Sequence, residues 1–127
     1  MADRVAPMLQ RLRRCCLELP EVIERPSHSA PTFFVKGRKA FVTAWLQGHH
    51  GTTFPHLWCA APPSAQAALV DAMPSKFFRP PYVGAKGWIG IRLDGKVDWS
   101  EVGDLCAQAY WTVAGPVTRS RGVPPRP

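Results

Sequence analysis

The run Thr32-Phe-Phe-Val-Lys-Gly-Arg-Lys-Ala-Phe-Val-Thr-Ala-Trp-Leu46 decides the fold. Two stretches rich in aromatic and β-branched residues flank Gly37-Arg38, which reads as a β-hairpin with a two-residue loop. Glycine in the first loop position predicts a type II′ turn. Alternation places Phe33 and Val35 on one side of the first strand, with Phe41, Thr43 and Trp45 together on one side of the second. A lone hairpin is marginal in water, so the flanking sequence must supply more strands or a covering helix.

It supplies both. Upstream, Val5, Met8, Leu9, Leu12, Cys15, Cys16 and Leu19 recur at spacings of three and four, which predicts a helix over 4–19 with one buried stripe. Asp3 is its candidate N-cap and Pro20 its stop. Residues 21–25 read as a short strand, joined to the hairpin through 27–31. Downstream, 47–55 is a polar, glycine-bearing loop, and His56-Leu-Trp-Cys-Ala-Ala61 reads as the central strand. Pro62-Pro63-Ser64 opens a second helix whose stripe (Ala65, Ala68, Leu69, Ala72, Met73) is small enough to lie close on a sheet. Prolines and glycines break up residues 75–87, and Trp88-Ile-Gly-Ile-Arg-Leu93 follows as a strand. Asp94-Gly95 turns the chain. Asp98 with Glu101 forms a capping box for a third helix, with Gly115 after its C-cap and Pro116 stopping it.

The order is helix, three or four strands, helix, one or two strands, helix. This predicts an α+β two-layer sandwich, an antiparallel sheet with its helices on one face. One domain over residues 1–114 accounts for these elements, and the Pro- and Arg-rich segment 115–127 is expected to be disordered.

Composition narrows the setting. The 127 residues are 46% hydrophobic and 20% charged, which suits a globular chain rather than an unfolded one. No apolar run reaches the roughly 20 residues of a membrane span, so no membrane partner and a cytoplasmic location are expected, as a monomer or homodimer. Cys15, Cys16, Cys59 and Cys106 make no metal-spaced set and read as reduced, packed thiols. The formal charge is +7, of which the acid-free tail carries +3 through Arg119, Arg121 and Arg126. Such a balance fits contact with a polyanion, and equally plain solubility.

The outline resembles the MmcQ/YjbR family. The residues that carry the likeness are Leu19-Pro-Glu, His28-Ser-Ala-Pro-Thr-Phe-Phe-Val-Lys-Gly-Arg-Lys-Ala-Phe, Arg79-Pro-Pro-Tyr-Val-Gly-Ala-Lys-Gly-Trp-Ile-Gly-Ile-Arg-Leu-Asp-Gly, Trp99-Ser-Glu-Val and Ala109-Tyr-Trp. The resemblance implies a fold similar to the CyaY-like (frataxin-like) and secretion-chaperone-like α+β group, and a DNA-binding role for a double-wing surface. It implies no catalytic residues.

Two cationic features agree with such a role. Residues 76–96 hold Lys76, Arg79, Lys86, Arg92 and Lys96 among Phe77, Phe78, Tyr82 and Trp88, a mixture suited to phosphates and stacked bases, and also to a solvated loop. The hairpin tip Lys36-Gly37-Arg38-Lys39 reads as a wing along a DNA backbone, or as charges guarding a sheet edge. The predicted nucleic-acid contacts are therefore Lys36, Arg38, Lys39, Lys76, Arg79, Lys86 and Arg92, with little base specificity. A third reading gathers His28, Trp45, Trp58 and Tyr82 around a small pocket, and a fourth is a protein-interaction or chaperone-like module. His49-His50 lack a completing carboxylate or thiol, so no metal is expected. Phosphate-loop and nucleophile-elbow motifs are absent from the sequence, so neither a cofactor nor a catalytic function is expected.

Overall fold

The computed structural model describes residues 2–49 and 51–119. Helix α1 (Ala2–Leu17) precedes four strands, β1 (Val22–Ser27), β2 (Ala30–Val35), β3 (Lys39–Trp45) and β4 (His56–Cys59). Helix α2 (Ala65–Ala72), β5 (Phe77–Phe78), a 3₁₀ turn (Val83–Lys86), β6 (Ile89–Arg92) and α3 (Trp99–Arg119) complete the chain. The six strands form one sheet in the order β1-β2-β3-β4-β6-β5, and every neighbouring pair is antiparallel. The fold is α+β, as the sequence predicts.

Helices α1 and α3 cover one face. Leu12 and Cys16 of α1 and Cys106, Ala109 and Tyr110 of α3 are fully buried against Phe33, Val42, Leu57 and Cys59 of the sheet. The helices themselves approach closely at Gly103, where an added Cβ would meet Cys15 Sγ at 3.7 Å. Tyr110 fixes this layer twice, packing edge-on to Phe41 at 5.7 Å and donating its hydroxyl to the Pro20 carbonyl at 3.0 Å. All four cysteines are thiols; burial pushes Cys16 well up and Cys15 to about 11. Outside the core, Arg13 makes a two-bonded pair with Glu24 at 2.6 and 2.9 Å, tying α1 to β1.

Four local expectations are corrected. The hairpin turn has positive φ at both Lys36 (54°) and Gly37 (67°), with Arg38 N–H bonded to Val35 at 3.0 Å, so it is of the I′ kind rather than II′. Register slips between Phe33 (opposite Val42) and Phe34 (opposite Ala40), leaving Phe41 as an extra, bulged residue of β3. Strict alternation therefore fails there. Phe41 joins the helix-covered core, while Thr43 and Trp45 face the other way.

Helix α2 is the third correction. It has no buried residue and lies at the β5 edge rather than flat on the sheet. Met73 is 42% exposed, and only Leu69 and Val70 reach the core margin. At the end of α3 the backbone leaves helical geometry at Gly115 (φ 80°, ψ 172°), yet Pro116 opens a further helical turn instead of stopping the chain. Residues 120–127, most of the tail expected to be disordered, lie outside the described residues.

Gly90 shows how tightly the second face is built. It lies opposite Phe78 in the register, and a Cβ there would stand 2.3 Å from the Phe78 ring. Gly90→Ala is expected to lower stability by about 1–3 kcal/mol in a urea titration. Adding Phe78→Ala should make the double variant less destabilised than the sum of the two single losses.

Candidate functional site

The face of the sheet turned away from α1 and α3 carries two cross-strand rows. Thr32, Thr43, Trp58, Gly90 and Phe78 are register partners in one row; Trp45, His56 and Arg92 are partners in the next. Trp45 and Trp58 meet edge-on at 5.0 Å and, with Ala30, form a small second cluster backed by Phe78, Val83 and Trp88. From the loop after β3, His49 lies flat on Trp45, 3.6 Å between ring centres and 3° from parallel. The Trp45 indole N–H is buried and has no acceptor among the described residues, at a cost of about 1–3 kcal/mol.

Above these rows lies a cavity of about 850 Å³. Its floor is Thr32, Thr43, Trp45 and Trp58. Its walls come from Ser27 and His28 in the β1–β2 turn, from His49, and from Tyr82, Val83 and Trp88 in the proline-rich loop. Lys39, Ala40 and Lys86 also line it, Val113 reaches it from α3, and among the described residues no Asp or Glu does. The four residues of the third sequence reading, His28, Trp45, Trp58 and Tyr82, thus line one space.

The loop over the cavity is held by unusual backbone. Tyr82 sits at φ 62°, ψ −69°, with Val83 N–H bonded back to the Pro81 carbonyl at 2.6 Å. This is the rare, strained form of γ-turn, and it leaves the Tyr82 side chain 74% exposed. Gln66 of α2 secures the loop by donating to the carbonyls of Gly84 (2.8 Å) and Trp88 (2.6 Å). This explains why α2 sits at the sheet edge: it braces the loop.

The predicted cations are dispersed. Lys39 and Lys86 converge on the cavity. Lys36 and Arg38 are exposed at the β2–β3 turn, where Arg25 also donates to the Gly37 carbonyl at 3.0 Å and lies 3.9 Å over Phe34. Arg79 is exposed on the side facing α2, in a shallow depression with Gln66 and Asp71. Lys76 pairs with Glu101 at 2.7 Å, so the expected capping box is only half made: Asp98 Oδ1 accepts from Ser100 and Glu101 N–H, while the Glu101 carboxylate turns to Lys76. Arg92 forms two bonds with Asp94 (3.0 and 2.7 Å) and covers Phe54 at 3.9 Å. The charges of Lys76 and Arg92 are offset locally.

Sequence reading missed Thr32, Thr43 and Trp88 as lining residues, and Arg25 as a cation beside the hairpin. Period-two alternation counted from Trp45 would have found Thr43. Arg25 gives no local signal. Among the described residues no three His, Cys, Asp or Glu side chains gather where they could hold a metal, and His50 lies outside the described residues. No described helix is long and apolar enough to cross a membrane.

A model of the YjbR family matches residues 17–112. The chain belongs to the YjbR family. A crystal structure of a Deinococcus radiodurans protein with the DUF419 domain is similar, with a TM-score of 0.73 and 21% identity over 91% of this chain and 88% of that one. At that identity the likeness speaks for the fold. No curated protein matches the sequence. In this YjbR-family chain the family match spans every element from β1 to β6, and so all of the cavity's sheet floor.

His56, beside Trp45 and Trp58, is buried and bonded through Nδ1 to the Phe54 carbonyl at 2.9 Å. Burial lowers its pKa below the ordinary value, and His49 and Arg92 push the same way. The unfolded chain therefore takes up this proton more readily than the native state. The stability is present above about pH 6.5 and lost as pH falls through the folded value, by up to about 1.4 kcal/mol per pH unit. The Tm should fall as the pH drops below about 6.5, and His56→Gln should flatten that slope.

Proposed function

We propose that the protein is a ligand-binding module whose site is the sheet-face cavity. The observation that carries this reading is the convergence of His28, Trp45, Trp58 and Tyr82, from four separated segments, on one acid-free space of about 850 Å³. Cavities of about 300–1,000 Å³ with apolar, aromatic walls and a few polar groups are the usual form of small-molecule sites. The orphaned Trp45 N–H and the strained Tyr82 turn support it further, because such costs gather at functional sites.

A thermal-shift screen of charged and neutral metabolites tests it. A ligand at about 100 times its Kd adds about 2.7 kcal/mol, a rise of several degrees. Thr43→Trp, which fills the cavity from its floor, should abolish the rise. Arg79→Glu, on the other side of the loop, should leave it intact. Shifts that persist in Thr43→Trp would contradict the reading.

Nucleic-acid binding, the role implied by the family resemblance, is the second reading, and one observation favours it: Lys36, Arg38 and Lys39 are all exposed around a projecting turn, with Arg25 beside it. Contact would be with phosphates, since no described helix offers a base-reading face. Anisotropy with duplex DNA should then show affinity falling steeply with salt. Lys36→Glu with Arg38→Glu should weaken it at least tenfold without touching ligand shifts in the cavity. Affinity indifferent to salt and to these changes would remove this reading.

A further inference from the structure

The geometry points to a planar aromatic anion as the occupant of the cavity, its ring among Trp58, Trp88 and Tyr82 and its acidic group at Lys39 and Lys86. This inference rests on the ligand-binding reading above and names the chemistry of that site.

Three observations carry it. The first is charge: two lysines from distant segments, one on β3 and one on the loop before β6, line the same space, and among the described residues no carboxylate does. An anion there meets attraction with nothing to offset it, in a cleft whose apolar walls weaken screening. Elsewhere on the surface, Arg13, Lys76 and Arg92 each have a carboxylate partner. Lys39 and Lys86, like Lys36, Arg38 and Arg79, form no ion pair among the described residues.

The second observation is shape. The indoles of Trp45, Trp58 and Trp88 and the Tyr82 phenol present flat surfaces, which favour stacked or edge-on rings over flexible chains. His49 already covers one face of Trp45. A ligand ring is therefore met chiefly by Trp58 and Trp88, with Tyr82 at the mouth.

The third is the Tyr82 backbone. A non-glycine residue at φ 62°, ψ −69° is strained. Glycine would relieve that strain, and the side chain is 74% exposed at the cavity mouth. Tyr82 is placed to close over a bound ring and act as a specificity-determining residue.

Two sources share this chemistry, a mononucleotide and an aromatic carboxylate. Calorimetric titration of the full chain with adenosine 5′-monophosphate and with 1-naphthoate separates them, with adenosine and decanoate as the uncharged and non-aromatic controls. At least one aromatic anion should bind ten times more tightly than both controls, and which one binds identifies the source. Lys39→Met with Lys86→Met, both at exposed positions, should weaken that binding at least tenfold. Tyr82→Gly should weaken it at least fivefold while the Tm stays level or rises, an outcome that a purely structural tyrosine would not give. Decanoate or adenosine binding as tightly as the anions, or indifference to the lysine changes, overturns the inference while the cavity reading stands. No heat from any of the four compounds also overturns it. The cavity reading falls as well only if the thermal-shift screen yields no rise that Thr43→Trp removes.

Discussion

The extra residue at Phe41 governs the whole arrangement. Strand residues alternate between faces, so one inserted residue reverses every assignment beyond it. Because Phe41 is bulged, it and Val42 are both fully buried under the helices. Thr43 and Trp45 are thereby delivered to the opposite face, where they line the cavity. Without the bulge, Val42 and Ala44 would lose their places in the core, or Trp45 would lose its place at the site. The helix-covered core and the open face are two outcomes of one local irregularity.

From that point the two faces have different characters. The covered face is close-packed and apolar, with Leu12, Cys16, Cys106 and Ala109 all fully buried. The open face is held by rings and backbone bonds: His49 on Trp45, Phe78 over Gly90, Gln66 reaching two loop carbonyls. It contains the costly features, an indole N–H without an acceptor and a tyrosine in a strained turn. The proline-rich loop of this chain forms a wall of the cavity, and α2 braces it.

Most of the architecture was legible in the sequence because it rests on periodicity. The 3.6-residue stripes of α1 and α3 and the alternating strands predicted the element order and the α+β class. What was not legible was non-periodic. The bulge at Phe41 has no composition of its own, so the pattern through Phe41, Thr43 and Trp45 looked unbroken. The alanines of α2 suggested close packing, yet Gln66 decides where that helix sits. The pocket set of His28, Trp45, Trp58 and Tyr82 was found by residue type. The pairing of Lys76 with Glu101 and of Arg92 with Asp94 was not legible either, since linear charge counts carry no such information.

The central claim is that ligand enters the cavity over Thr43, Trp45 and Trp58. Of the five tryptophans, Trp45, Trp58 and Trp88 line the cavity, Trp88 also packing against the helix-covered core, while Trp99 and Trp111 belong to the helix-covered layer alone. Their indole N–H resonances in a ¹H–¹⁵N spectrum, assigned by Trp→Phe variants, give the most direct test. Adding a compound that raises the Tm should move the Trp45, Trp58 and Trp88 signals and leave Trp99 and Trp111 in place. Movement confined to Trp99 and Trp111, or spread evenly over all five, would contradict the account.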